Sequence, residues 1–294
     1  MQRGRYYMGR VIKLGELNQE RLLNAICKAP TIEVGEFEWT ITDVVDNRNI
    51  ENPYIFGNLS KYSRQGKVKI VDEVKKHQRN ATAENLLEAS APFVYLPNFS
   101  GLAYLHVWNG IQENIFPRRF KSIIEAAYDR FFVDCTIEPL ADYREFLHKI
   151  NNLKKITELS AKVHPPNPLY GRLWGSLNDY ITKRQADEIS IKEKSEKASG
   201  LETNIQELIK KIIENPKYQP QKTVEVTDAA ILMAADGYGS GKVTGLDARS
   251  HLVVIKTSDS KSSFLFNKEP EHDSLAKISK ENFERLSDER DMRH

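Results

Sequence analysis

The chain has 294 residues, of which 40% are hydrophobic and 29% charged, with twelve Tyr and twelve Phe. Such a composition suits one large folded domain or two to three small ones, and it excludes disorder, collagen and coiled coil as the main state. Forty-three Lys and Arg against 41 Asp and Glu leave a net charge of only +2, so any attraction for a polyanion must come from how charge is distributed.

From the N-terminus, RYYMGRVIKL (Arg5 to Leu14) is aromatic and β-branched and predicts a strand, and a short helix from Asn18 places Leu22, Ile26 and Cys27 on one face. A hairpin is expected over Thr31–Val45 with its turn at Gly35 and Glu36, and a second over Tyr54–Tyr62 and Lys67–Lys76 turning at Arg64, Gln65 and Gly66. Two further strands, Ala91–Leu96 and Leu102–Trp108, flank the turn residues Pro97 to Gly101. A helix begins at Pro117, with Phe120, Ile123, Ile124, Ala127 and Phe131 at helical spacing. Then come a buried strand from Phe132 to Leu140, a helix capped by Asp142, and a strand from Lys154 to His164. Its odd positions Thr157, Leu159, Ala161 and Val163 form the apolar face, and its even positions, His164 included, the wet one. A helix from Asn167 or Pro168 to Arg184, a strand over Ile189–Lys194 and a helix over Glu202–Asn215 follow. Beyond these, Thr223–Val226, Lys242–Gly245, Leu252–Thr257 and Ser263–Phe266 predict strands, with a turn over Asp236–Gly241, and one exposed helix is expected around Lys280–Glu289.

This pattern defines an α+β fold. Its expected parts are a basic, antiparallel β-rich domain over 1–132, an α+β domain over 133–216, a β-rich segment over 217–270 packed on that domain, and a polar tail over 271–294. No apolar run approaches the roughly 20 residues that span a bilayer and no signal peptide opens the chain, so a cytoplasmic protein without membrane insertion is expected.

Charge is concentrated early. Arg3, Arg5, Arg10 and Lys13 stand in the first thirteen residues without an acid, and Lys61, Arg64, Lys67, Lys69, Lys75, Lys76 and Arg79 face only Asp72 and Glu73 between 61 and 79. The stretch from Glu269 to His294 is acidic by contrast. This asymmetry is what a polyanion-binding face leaves in a sequence. Arg118, Arg119 and Lys121 join the set because cations near a helix start oppose its macrodipole unless an anion or an acid lies close.

Signals for catalysis are sparse. Glu33, Glu36, Glu38, Asp43 and Asp46 in the first hairpin, and the E-x-K of Glu73-Val74-Lys75, supply the carboxylates that a metal-dependent nuclease needs. Alternating acids on a strand are usually its solvent face. The glycine-rich run from Asp236 to Val243 lacks the spacing and the Ser or Thr of a phosphate loop and predicts a hairpin turn. Arg144 and His148 predict surface groups, the seven His show no ligand spacing, and Cys27 and Cys135 support neither a disulfide framework nor a zinc site. No catalytic residue, metal or cofactor is assigned.

The hairpin APFVYLPNFSGLAYLHVWN, the strand CTIEPL, the segment ITELSAKVHPPNP and the run ELIKKIIENPKYQPQKTVEVTDAA resemble in their layout the RexA phage-exclusion proteins and their relatives, including the DNA-binding subunit of the Kiwa anti-phage system. The likeness covers roughly residues 90 to 250. It implies a non-enzymatic sensor or effector in prophage or host defence that binds double-stranded DNA with little sequence preference, acts as a homodimer, and is able to work with a second defence-system protein. The sequence thus points to non-specific duplex binding through Lys61, Arg64, Lys67, Lys69, Lys75, Lys76 and Arg79, helped by Arg118, Arg119 and Lys121. The alternatives are a metal-dependent nuclease-type toxin built on the hairpin carboxylates, and a protein-binding partner or inhibitor acting through the acidic C-terminal part.

Overall fold

A computed structural model describes residues 2–293. In chain order its elements are β1 (Arg3–Gly15), α1 (Gln19–Cys27), β2 (Ile32–Val34), β3 (Phe37–Asn47), β4 (Tyr54–Asp72), β5 (His77–Leu96), β6 (Gly101–Leu105), α2 (Ile115–Ala126), β7 (Val133–Pro139), α3 (Tyr143–Asn151) and β8 (Leu153–Val163). They continue as β9 (Tyr170–Gly171), α4 (Gly175–Arg184), β10 (Ile189–Lys194), α5 (Ile205–Glu214), α6 (Val226–Met233), β11 (Gly239–Asp247), β12 (Leu252–Lys256), β13 (Ser263–Asn267), α7 (His272–Glu289) and β14 (Met292–Arg293). The fold is α+β, and its strand ladders are antiparallel.

The larger sheet runs β13-β1-β6-β5-β4-β3-β2, and β7 pairs with the second half of β1. Both of its faces are covered, which is why APFVYL in β5 reads as one apolar run instead of alternating. Phe93 and Tyr95 pack under α1 and α2 with Leu22, Ile26, Phe116 and Phe120. Val94 and Leu96 face the opposite core, which includes Phe283 and Leu286 of α7. The smaller sheet runs β10-β8-β11-β12, with α6 packed on it and buried along most of its length. Local signals start the helices as expected: the Asn18 side chain accepts the Arg21 N–H at 2.8 Å, and Asp142 accepts those of Arg144 and Glu145.

Several expectations are corrected. The second hairpin does not turn at Arg64–Gly66; β4 runs straight through those residues to Asp72, and the chain reverses over Glu73 to Lys76. Gly66 marks a close approach, since a Cβ there would lie 2.4 Å from the Leu86 side chain. Asp72 makes the turn by accepting the Val74 and Lys75 N–H groups at 3.1 and 2.9 Å. α2 begins two residues before Pro117 and ends at Ala126, leaving Phe131 exposed beyond it. His164 is buried, not wet, its Nδ1 donating to the Asp187 carbonyl at 2.9 Å.

Instead of a strand over Thr223–Val226 the chain enters α6, and the glycine run is the exit from α6 into β11 rather than a hairpin turn. A Cβ at Gly239 would lie 2.0 Å from the Lys162 carbonyl, so only glycine lets β11 join β8 there. Segment 217–270 is divided, with β11 and β12 in the smaller sheet and β13 in the larger. The C-terminal stretch is no solvated tail: Leu275, Ala276, Phe283, Leu286, Arg290 and Met292 are buried, and β14 pairs with β9. Among the described residues no helix is long and apolar enough to cross a membrane.

Candidate nucleic-acid interface

β3 stays paired with β4 only as far as Glu38–Tyr62, and β6 stays paired with β5 only over Phe93–Leu96. Beyond Tyr62 and Leu87 the strands β4 and β5 keep no partner but each other, in unbroken register to Asp72–His77. The result is a two-stranded arm, about 30 Å long at roughly 3.3 Å per residue. Paired residues share a face, so Lys67 (opposite Thr82) and Lys69 (opposite Asn80) point one way, while Arg79 (opposite Ile70) points the other. Lys75 and Lys76 form the turn at the tip beside Val74, which is 92% exposed. All five cations are exposed and make no ion pair among the described residues. The arm therefore carries positive charge on both faces and at its end.

The other sequence-predicted cations divide. Lys61 and Arg64 lie at the root of the arm against β3. The Lys61 ammonium sits 3.5 Å over the Phe37 ring and 6.0 Å from that of Trp39, and Arg64 pairs with the buried Glu38 at 2.6 Å. Arg119 approaches from α2, with its guanidinium 5.3 Å from the same Trp39 ring and its Nε without an acceptor among the described residues. Burial, and after it the neighbouring Arg118, pushes the Arg119 guanidinium below its usual value. Arg118 is exposed on the same helix. Because α2 starts at Ile115, these arginines are its fourth and fifth residues and the macrodipole argument for an anion loses its force. Lys121 leaves the set, since it is held by Asp134 at 2.5 Å and Glu125 at 3.4 Å. Burial pushes Glu125 up, while at Asp134 burial pulls the same way but the hydrogen bonds from Lys121 and Glu125 and the Lys121 charge together hold the carboxyl down.

The carboxylates of the first hairpin do not converge. Glu38 is taken by Arg64, Asp46 by Arg48 at 2.8 Å, and Asp43 accepts from the Asn58 amide at 2.8 Å. Among the described residues no group of three or more His, Cys, Asp or Glu stands where it could hold a metal ion. Glu73-Val74-Lys75 is the arm's exposed turn, and Arg144 and His148 are exposed on α3.

Sequence reasoning missed a buried carboxylate with three side-chain donors. Asp236, in the glycine run, is buried, and its carboxylate accepts from Tyr143 Oη at 2.8 Å, Trp174 Nε1 at 2.9 Å and Arg290 Nη1 at 2.9 Å. Those partners lie 93, 62 and 54 residues away. The only local signal was an acid set between apolar AILMAA and a glycine.

The fold and the arm together define an α+β protein that projects a basic two-stranded ribbon from a doubly covered antiparallel sheet. The chain belongs to the DUF4747 family, a domain of unknown function whose profile matches residues 20–284. No curated relative matches it.

Proposed function

We propose that this protein binds double-stranded DNA through the β4–β5 arm, gripping the phosphate backbone with little regard to sequence. The observation that carries this reading is the set of five cations without an ion pair among the described residues, Lys67, Lys69, Lys75, Lys76 and Arg79, spread over both faces and the tip of an isolated ribbon. The major groove, about 12 Å wide, admits a two-stranded ribbon, and a ribbon charged on both faces meets phosphates on either wall. Lys61, Arg118 and Arg119 at the arm's root extend the positive surface toward the body of the protein, while Arg64 is held by Glu38. Gln78, Asn80 and Thr82 on the arm donate to phosphate oxygens as readily as to base edges, so the backbone dominates affinity.

The resemblance to phage-exclusion proteins suggests anti-phage defence as the setting, a homodimer as the working form and a second defence-system protein as a partner. The direct test is a gel mobility shift with several unrelated duplexes of equal length at low salt. Equal retardation of all of them is the expected result; no retardation, or retardation of one sequence alone, contradicts the reading. Sedimentation analysis with and without duplex tests the homodimer.

A further inference from the structure

β1 passes beside a cavity of about 340 Å³ closed by the N-terminus of α1 and by the segment that follows β8. Two cations, Lys13 and Arg10, line it and make no ion pair among the described residues. Lys13 directs its ammonium at neutral oxygens only, Ser100 Oγ at 2.6 Å and Gln19 Oε1 at 3.3 Å, which occupy two of its three N–H donors. Burial lowers its amine to about 8. Arg10 is fully buried, and its donors go to the carbonyls of Asp236 and Phe99 and to the Met292 sulfur. The carboxylate of Asp236 is engaged elsewhere, by Arg290, Tyr143 and Trp174.

Gln19 adds a third feature. Its Oε1 accepts from Lys13 and from Tyr95, while its buried Nε2 has no acceptor among the described residues. Of the acids in this corner, Glu138 stands opposite Arg10 on β7 but does not line the cavity, and burial pushes its carboxyl up to about 7. Asp187 lines the cavity but is exposed, and Glu188 is paired with Lys162 at 2.6 Å and stands 3.9 Å from His164 Nε2. Buried cations and donors without partners are costly, and a ligand that brings negative charge and several acceptor oxygens relieves both at once.

We propose that this cavity binds the phosphate group of a small phosphorylated molecule. Lys13 and Gln19 Nε2 contact its oxygens, and Arg10 supplies charge from beneath without direct contact. Tyr238 and the Pro165-Pro166 pair, which also line the cavity, offer an apolar wall to the organic part. None of these residues belongs to the arm, so the site is independent of the DNA reading.

The test is calorimetric titration of the full chain with inorganic phosphate, with adenosine 5′-monophosphate and with acetate, at matched ionic strength. Saturable binding of either phosphate compound, and none of acetate, is expected. Tighter binding of the nucleotide shows that the apolar wall contributes, whereas equal binding shows a site for the phosphate group alone. Lys13→Gln is expected to weaken binding at least tenfold. Gln19→Glu, which gives Lys13 a carboxylate partner in place of the ligand, is expected to abolish binding with no loss of melting temperature, and it carries the test if Lys13→Gln does not fold. Replacing the five arm cations by Gln leaves phosphate binding unchanged. Absence of saturable binding by the folded parent chain, acetate binding as tightly as phosphate, or binding that survives Gln19→Glu, overturns the proposal and leaves the arm reading untouched.

Discussion

On the arm, Lys67, Lys69, Lys75, Lys76 and Arg79 stand in solvent without an ion pair among the described residues, whereas on α2 Lys121 lies between Asp134 and Glu125 and Arg119 rests on Trp39. Both regions are cationic runs in the sequence, and the difference comes from what surrounds each one in space. A helix laid on a sheet has neighbours on three sides, and one of them, β7, brings Asp134 to Lys121. A ribbon that has outrun its flanking strands has only its own cross-strand partners, and these are Thr82, Asn80 and Ile70. Cations left free in this way remain available to an external anion, while paired ones contribute to the fold.

Four predictions press on that contrast. The largest effect belongs to the most completely paired cation, Arg290, whose side chain is 2% exposed opposite Asp236. Asp236→Ala leaves that guanidinium buried without its counter-ion and should cost about 3–5 kcal/mol of stability, read by urea unfolding. A loss under about 1 kcal/mol would show that the pair does not fix the end of α7 to the junction of α6 and β11.

Replacing the five arm cations by Gln should lower duplex affinity at least about a hundredfold at moderate salt, since affinity rests on phosphate contacts, and should leave the melting temperature within about 2 °C. Fluorescence anisotropy and a thermal melt check the two halves of this statement.

A smaller effect is expected at Glu138, which burial pushes up to about 7 against the pull of Lys162. Between the ordinary carboxylate value and about 7 the folded chain holds a proton that the unfolded chain releases. The stability this contributes is therefore fully present at pH 4 and is lost as pH rises through 7. Glu138→Gln should stabilise the protein at pH 8 by an amount on the order of 1 kcal/mol and change nothing at pH 4, a pattern that unfolding curves at the two pH values will show or refute.

The smallest effect is at Lys121. Lys121→Ala removes half-exposed ion pairs and should cost about 1 kcal/mol or less of stability while changing duplex affinity less than about twofold. A large fall in affinity would return Lys121 to the interface and erase the contrast between the two regions.

How much of this was legible follows the range of the interactions. The helix capped by Asn18, the alternation of Leu159, Ala161 and Val163, the strand Ile189–Lys194 and the stripe of Ile205, Leu208, Ile209 and Ile212 are all local patterns, and each forms as its spacing implies. The length of the arm was hidden because Gly66 looks like a turn residue, while the turn depends on the Asp72 carboxylate reaching two N–H groups downstream. α6 lacked an amphipathic period because it is buried on nearly all sides. α7 looked solvated because acids and lysines outnumber the few residues, Leu275, Phe283 and Leu286, that fix it to the core. At the candidate site the cations of residues 67 to 79 were visible as a run, but Asp134, which joins the nearby Glu125 in removing Lys121, and Glu38, which occupies Arg64, lie 13 and 26 residues away and become neighbours only in the fold. The cluster around Asp236 left almost no local trace for the same reason.

The central claim is that the arm holds DNA by its phosphates, and the salt dependence of binding tests it most directly. With about 0.9 counterion released per phosphate contact, the parent chain should show log K falling steeply against log salt, and the five-fold Gln variant a slope shallower by about 4 to 5. A parent slope near zero, or the same slope in both proteins, would contradict the account.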